Sequence, residues 1–260
     1  MKKNKELERF YSKVYQKGEK KHYTTLVTKK RSQEDADQAL KVLKWRNKKI
    51  LEVGCGTGRF AHMAAKSGAK VLAIDFAESA IKLAKKNHVH PNLCFKKMNV
   101  SDISEKFDVI VSLGTLEHMD NPFETLLFFK KHLNSKGKII LTNPNWTNPR
   151  GFVLQTLYHL FNAPITLADL HYLTPVDHLE WAKKLNMKLK WKTFEYSWGN
   201  GTLLIEDFKR RLPKILSSTN LPNKKKNIDD FLVWLQKNVV NLNYSLPHSG
   251  AVGLYVYSKN

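Results

Sequence analysis

The chain has 260 residues, 42% hydrophobic and 11% aromatic, with 44 Lys+Arg against 23 Asp+Glu. That length supports one large domain or a domain with a cap; no run of 18 apolar residues occurs, and the basic opening MKKNKELERF lacks the apolar stretch of a secretory signal, so a cytoplasmic protein is expected. Two cysteines, Cys55 and Cys94, exclude a disulfide framework and a cysteine-based zinc site.

The net charge of +21 invites a nucleic-acid partner. Only seven of the 44 basic residues are Arg, however, and 37 are Lys. Bidentate recognition of phosphates and base edges favours the planar Arg fork. With 20 Asn besides, a compositional bias toward Lys and Asn accounts for much of the charge. Nucleic acid is therefore the less favoured partner.

Residues 1–49 carry 16 Lys/Arg and six Asp/Glu, with aromatics at Phe10, Tyr11, Tyr15 and Tyr23. They read as a helical lead-in, with Ser32 placed to cap QEDADQALKVLKW. From Lys49 short apolar runs alternate with helical stretches. Strands are predicted at KILEV (49–53), KVLAID (70–75), NLCFKKMNV (92–100), KFDVIVSL (106–113) and GKIILTN (137–143). Helices are predicted through GRFAHMAAKSG, at SAIKLAKKN (79–87) and at NPFETLLFFKKHLN (121–134). Strands this apolar, alternating with helices, imply a doubly wound, mostly parallel α/β sheet covered on both faces.

Beyond Asn143, GFVLQTLYHLF (151–161) and residues 174–185, with Thr174 as N-cap, read as helices, and MKLKWKTFEY (187–196) and GLYVYSK (253–259) as strands six and seven. The roughly fifty residues between those strands far exceed the usual loop of about 4–6 residues, so structure of their own is expected. FKRRLPKIL and IDDFLVWLQKNVVNL supply two helices there. The expected division is a helical cap at 1–45, a cofactor-binding core at 46–198, a helical insertion at 199–250 and a final core strand at 251–260.

The chemistry centres on ILEVGCGTG. A strand ends at Val53, and Gly54, Gly56 and Gly58 allow a tight turn and close approach of the backbone to a ligand. The following helix aims free N–H groups at the same place. The second strand ends in Asp75, seventeen residues past Gly58, where a carboxylate can accept hydrogen bonds from ribose hydroxyls. The dinucleotide fingerprint G-x-G-x-x-G would put its third glycine at Arg59; here the pattern is G-x-G-x-G, with Glu52 two residues before it.

ILEVGCGTG and VLAIDFA resemble motifs I and II of class I S-adenosylmethionine-dependent methyltransferases. The resemblance covers most of residues 45–195 and implies a seven-stranded Rossmann-like fold that binds S-adenosylmethionine. It implies that Glu52, Gly54, Cys55, Gly56 and Gly58 surround the methionine portion, that Asp75 holds the ribose, and that Phe76 packs on the adenine. Asn99 and Val100 stand where relatives often carry Asp-Ala near the adenine amine, with Asp102 as an alternative to Asn99. FDVIVSLGTLEHMDNP (107–122) resembles motif IV and its sequel, which points to Leu113 as a cofactor contact and to Glu117 and His118 on the substrate side.

Together LEHMDNP and HYLTPVDHLEWAKKLNMKL most resemble the O-methyltransferases of ubiquinone biosynthesis and their small-molecule relatives. Some of those carry E-x-x-E-H, able to recruit a divalent cation; here its first position is Gly114, so no metal is expected. The resemblance implies methyl transfer to a small-molecule or lipid-like acceptor at oxygen. A general base would then help, and imidazole exchanges protons near neutral pH, which favours His118 with Glu117 orienting it. His171 and Tyr172 are weaker candidates, and Cys55 reads as a turn residue. Asn143-Pro144-Asn145-Trp146 lies after the fifth strand and lacks the second proline of the N-P-P-[YF] signature of amine methyltransferases, so it reads as a turn. GFVLQTLYHLF and IDDFLVWLQKNVVNL offer an apolar acceptor lining, the basic cap with its aromatics a peripheral contact with an anionic membrane, and such stripes also serve as the packed faces of cap helices; the three are not exclusive. Alternatives to the small-molecule enzyme are an RNA or protein methyltransferase and a non-catalytic binder of the cofactor. The sequence is silent on oligomeric state.

Overall fold

A computed structural model describes Arg9, Lys13 and residues 35–166, 168–242 and 246–259. Phe10, Tyr11, Tyr15, Tyr23 and the Ser32 cap lie outside the described residues; the helix expected after that cap is present as α1 (Asp35–Leu40).

Seven strands form one sheet, in the order β3-β2-β1-β4-β5-β7-β6. They are β1 (Lys49–Val53), β2 (Lys70–Asp75), β3 (Leu93–Lys97), β4 (Phe107–Leu113), β5 (Leu133–Pro144), β6 (Met187–Phe194) and β7 (Val252–Lys259). The pairs β1·β2, β1·β4, β2·β3 and β4·β5 run parallel. Ile50, Leu51, Ile110, Ile139, Ile140 and Leu141 are all fully buried. Consecutive burial without alternation is what a sheet covered on both faces requires, and it explains the continuous apolar runs.

Between the strands lie α2 (Arg59–Lys66), α3 (Glu78–Asn87) and α4 (Pro122–Lys131), followed by α5 (Pro149–Phe161) and α6 (Pro175–Lys184). The one-turn α7 (Tyr196–Gly199) precedes α8 (Thr202–Ser218) and α9 (Lys225–Leu235), which runs on into a π turn at Gln236–Val240. Two helices start on Asn-Pro. Asn121 accepts from the Glu124 N–H at 3.2 Å and Asn148 from the Gly151 N–H at 2.8 Å, while the proline occupies a position whose N–H would have no helical partner. Asn162, Asn186 and Asn220 adopt positive φ just past α5, α6 and α8, the role glycine often fills at a helix end. Part of the Asn abundance is thus structural.

Two compact units are present. The first comprises Met1–Asn143, His178–Lys190 and Leu254–Asn260; the second comprises Pro144–Asp177 and Trp191–Gly253. The second unit gathers a stretch that the sequence blocks leave within 46–198. Its reason is a separate core: Trp146 and Leu154 pack with Leu204, Phe208, Leu212, Ile228 and Leu232, so the apolar side of α5 is covered by α8 and α9. The buried faces of these helices therefore serve their own packing. Phe152, Leu160 and Phe161 on α5, and Val233 and Trp234 on α9, remain exposed.

Candidate active site

The carboxyl ends of β1, β2 and β4 bring most of the expected residues together in the first unit. After Val53 the chain turns through Gly54, Gly56 and Gly58 with φ of 71°, 51° and 83°. These left-handed values favour glycine. The Gly54 and Cys55 N–H groups both donate to the Ile74 carbonyl, at 2.9 and 3.0 Å, which ties the turn to β2. Gly54 also has a packing reason: a Cβ there would lie 2.4 Å from Thr115 Oγ1, on the loop that follows β4.

Asp75 is buried. Its Oδ2 accepts from the Gly56 N–H at 3.0 Å and its Oδ1 from the Ala77 N–H at 2.8 Å. Burial pushes its carboxyl above the usual range, although the N–H groups of Ala77, Gly56 and Phe76 pull the other way. Glu52, also buried, points its side chain into the same region, and its Oε2 has no hydrogen-bond partner among the described residues. Burial holds the Glu52 carboxyl well above its ordinary value; the Ala61 N–H lowers it, and the Asp75 charge raises it further. The same burial and the two nearby carboxylates push the Cys55 thiol up, so it is no thiolate nucleophile.

Phe76 is half-buried just past Asp75. Asn99 is exposed and Val100 half-buried at the head of a 3-10 turn, Val100–Asp102. The Asp102 carboxylate is engaged locally, accepting from the Asn99 N–H at 3.3 Å and from Ser101 Oγ at 3.2 Å.

Leu113 ends β4, and Gly114 turns the chain at φ 56° while its N–H donates to the Thr142 carbonyl at 2.9 Å. Thr115 Oγ1 donates to the Leu113 carbonyl at 3.0 Å. Glu117 and His118 follow on a 3-10 turn, Leu116–His118, with Glu117 buried and His118 half-buried. The expected pair thus stands on the loop that packs against the glycine turn. His171 and Tyr172 lie in the second unit, where Tyr172 packs edge-on against Trp146 and Tyr158.

Three residues of this neighbourhood escape sequence reasoning. Thr115 fills the space beside Gly54, and Thr142 accepts from Gly114 while donating through Oγ1 to Asp35 at 2.6 Å. His178 is fully buried, with Nδ1 2.8 Å from Tyr257 Oη, Nε2 2.9 Å from Asn143 Oδ1 and its ring stacked 3.6 Å from that of Tyr255. The Asn-rich segment after β5 is likewise internal. Asn145 Nδ2 donates to the His248 and Gly250 carbonyls, both at 2.8 Å, and Asn148 Nδ2 to the Asn145 and Gly250 carbonyls.

A parallel sheet whose first strand opens onto a glycine turn, with an acid ending the second strand, defines a nucleoside-binding α/β protein of the Rossmann-like kind. The chain belongs to a methyltransferase domain family, whose model matches residues 44–238. It is a class I S-adenosylmethionine-dependent methyltransferase. It is similar to the ubiquinone biosynthesis O-methyltransferase of Glaesserella parasuis, 33% identical over 110 residues that make up 38% of this chain and 47% of that protein. The protein of the same name from Dechloromonas aromatica is 27% identical over 162 residues, 58% of this chain and 68% of the relative. The chain thus spans about half to two thirds of these relatives. In fold it is similar to a chain of the complex of the Haloferax volcanii Trm112 methyltransferase activator, with a TM-score of 0.62, 11% identity and 96% and 97% of the two chains covered. An S-adenosylmethionine-dependent methyltransferase from Mesorhizobium loti gives a TM-score of 0.53 at 12% identity, over 86% and 95%. No described helix is long and apolar enough to cross a membrane.

Proposed function

We propose that the protein transfers a methyl group from S-adenosylmethionine to an oxygen of a small-molecule or lipid-like acceptor. The observation that carries this reading is the pair Glu117–His118 on the loop that meets the glycine turn, in a chain similar to ubiquinone biosynthesis O-methyltransferases. The residues at the turn suit the cofactor: left-handed glycines leave its surface free of side chains, and Glu52 Oε2 is a buried acceptor with an unused lone pair. Glu52, Gly54, Cys55, Gly56 and Gly58 would hold the methionine portion. Asp75 would hold the ribose, and Phe76, Asn99 and Val100 the adenine, with Leu113 beside the methyl.

When bound, S-adenosylmethionine supplies an electrophilic methyl carbon on a positively charged sulfur. The chain's part is alignment and proton handling. His118 would take the proton of the acceptor hydroxyl as that oxygen receives the methyl group. Glu117 would orient that ring.

Two measurements separate the parts of this reading. Calorimetric titration with S-adenosylmethionine should be saturable, and weakened in Asp75→Ala; no binding to the folded protein would remove the cofactor assignment. Turnover of hydroxylated quinones and phenolic lipids, followed by mass spectrometry, should fall about 10²–10⁴-fold in His118→Ala with cofactor affinity retained. Unchanged turnover in that variant would remove His118 as the base.

A further inference from the structure

The six-residue α1 turns Ala36, Gln38 and Ala39 into the protein. Asp35 stands three and four positions before Gln38 and Ala39, so it shares their inward face. Asp37 lies on the opposite side and accepts from Arg59 Nη2 at 3.1 Å, at the start of α2. A carboxylate on the inward face of a helix is costly unless a partner answers it. Thr142 Oγ1 donates to Asp35 Oδ2 at 2.6 Å, and the same oxygen accepts from the Gly114 N–H at 3.1 Å. Thr142 is fully buried on β5, which holds its hydroxyl in place. A hydroxyl satisfies one oxygen without neutralising the charge. Among the described residues Asp35 makes no ion pair, and its Oδ1 has no hydrogen-bond partner.

The strand order β2-β1-β4-β5 sets the parts of the site in a row along the carboxyl edge of the sheet. Asp75 ends β2, the glycine turn follows β1, Gly114 follows β4, and Thr142 lies near the end of β5. Asp35 thus stands at the opposite end of the row from Asp75, the residue proposed for the ribose. All of these residues belong to the first unit. Thr115, next to Gly114, fills the space beside Gly54, so Asp35 is two hydrogen bonds from the loop that meets the glycine turn.

The methionine portion of the cofactor carries an ammonium, whose N–H groups require acceptors, and a carboxylate is the strongest of these. Asp75 is spent on the Gly56 and Ala77 N–H groups, and burial holds Glu52 toward its protonated form. Asp35 differs from both: it is half-buried, and one of its oxygens is uncommitted.

We propose that Asp35 is the carboxylate that receives the ammonium of S-adenosylmethionine, aimed by Thr142 through the hydroxyl that also steadies Gly114. The inference rests on the cofactor assignment above and is independent of the acceptor and of His118.

The test is calorimetric titration of the full chain with S-adenosylmethionine, S-adenosylhomocysteine and 5′-methylthioadenosine, comparing wild type with Asp35→Asn. The first two ligands carry the ammonium and the third lacks the whole amino-acid portion. Asp35→Asn should weaken the first two about tenfold or more, by similar factors, and leave methylthioadenosine within about twofold. Circular dichroism should stay unchanged. Equal loss on all three ligands would make Asp35 a support for the fold, and loss on S-adenosylmethionine alone would set it against the sulfur; either result overturns the proposal. Unchanged affinities in Asp35→Asn overturn it too and leave the cofactor assignment standing, whereas a wild type that binds none of the three removes both. Should Asp35→Asn not fold, Thr142→Val removes only the hydroxyl that aims the carboxylate. It must still weaken the two ammonium-bearing ligands severalfold and spare methylthioadenosine.

Discussion

Replacing Gly54 by Ala tests the glycine turn at two separable levels. The first is conformational: Gly54 has φ 71°, and a left-handed conformation costs an L-residue about 1–2 kcal/mol. The second is steric, because the new Cβ would lie 2.4, 2.5 and 2.9 Å from Oγ1, Cγ2 and Cβ of Thr115. Thr115 is β-branched, and turning it aside breaks its hydrogen bond to the Leu113 carbonyl, so an overpacking cost of about 1–3 kcal/mol is expected. Gly54→Ala should therefore destabilise the protein by about 2–5 kcal/mol, a large part of the 5–15 kcal/mol of an ordinary domain. Thr115→Gly removes all three clashing atoms and leaves the dihedral cost in place. In urea denaturation followed by tryptophan fluorescence, the double variant should be about 1–3 kcal/mol more stable than the sum of the single losses. Additivity within about 0.5 kcal/mol would refute the steric argument.

Two further outcomes follow from buried ionisable groups. Glu52 keeps its proton in the folded chain to higher pH than its unfolded value of 4.5, so its contribution to stability is lost as pH rises above 4.5. Glu52→Gln should thus melt higher than wild type at pH 8, with the gap closing toward pH 5 and cofactor binding weakened; a variant less stable at every pH would mean the carboxylate is a structural acceptor. His178 is held down to about 3 by burial, so between its unfolded value of 6.5 and pH 3 the unfolded chain binds more protons and stability falls on acidification. From pH 7 to pH 5 the advantage of wild type over His178→Gln should shrink by about 2 kcal/mol in denaturant titrations, and a constant difference would show that the buried ring takes up its proton over the same pH range as in the unfolded chain.

The sheet was legible because burial on both faces demands unbroken apolar runs. KILEV and KVLAID fold as β1 and β2 without a residue's difference. β5 begins at Leu133 rather than at Gly137, because a bulge lets Phe107 pair with Leu133 and Val109 with Lys138. A bulge obeys side-chain and backbone needs of two strands at once, and no single-strand pattern announces it. At the site, the glycines and Asp75 could be read because strand-end chemistry is local. Thr115 and Thr142 could not, since each is chosen by a partner distant in the chain: Gly54 for the first, Gly114 and Asp35 for the second. His178 is the same case, an ordinary helix residue by pattern that becomes a buried link among Asn143, Tyr255 and Tyr257. The 199–250 segment is unreadable for another reason: it follows the packing needs of α8 and α9 and carries no motif.

The candidate site is also the part of the first unit that works against its own stability. Gly54, Gly56 and Gly58 adopt left-handed dihedrals, and two carboxyl groups are buried without a cation among the described residues beside them. Asp207, buried in the second unit, has three arginines beside it instead. Such a carboxyl pair persists only where the surrounding structure holds it, and here the surrounding structure is a deeply buried part of the sheet, Ile50 to Val53 on β1 and Ala73 to Asp75 on β2. A ligand bearing an ammonium, a positively charged sulfur and ribose hydroxyls relieves each of these costs at once. Binding energy and folding energy then draw on the same few residues, and for that reason Glu52→Gln is expected to raise stability while it weakens cofactor affinity.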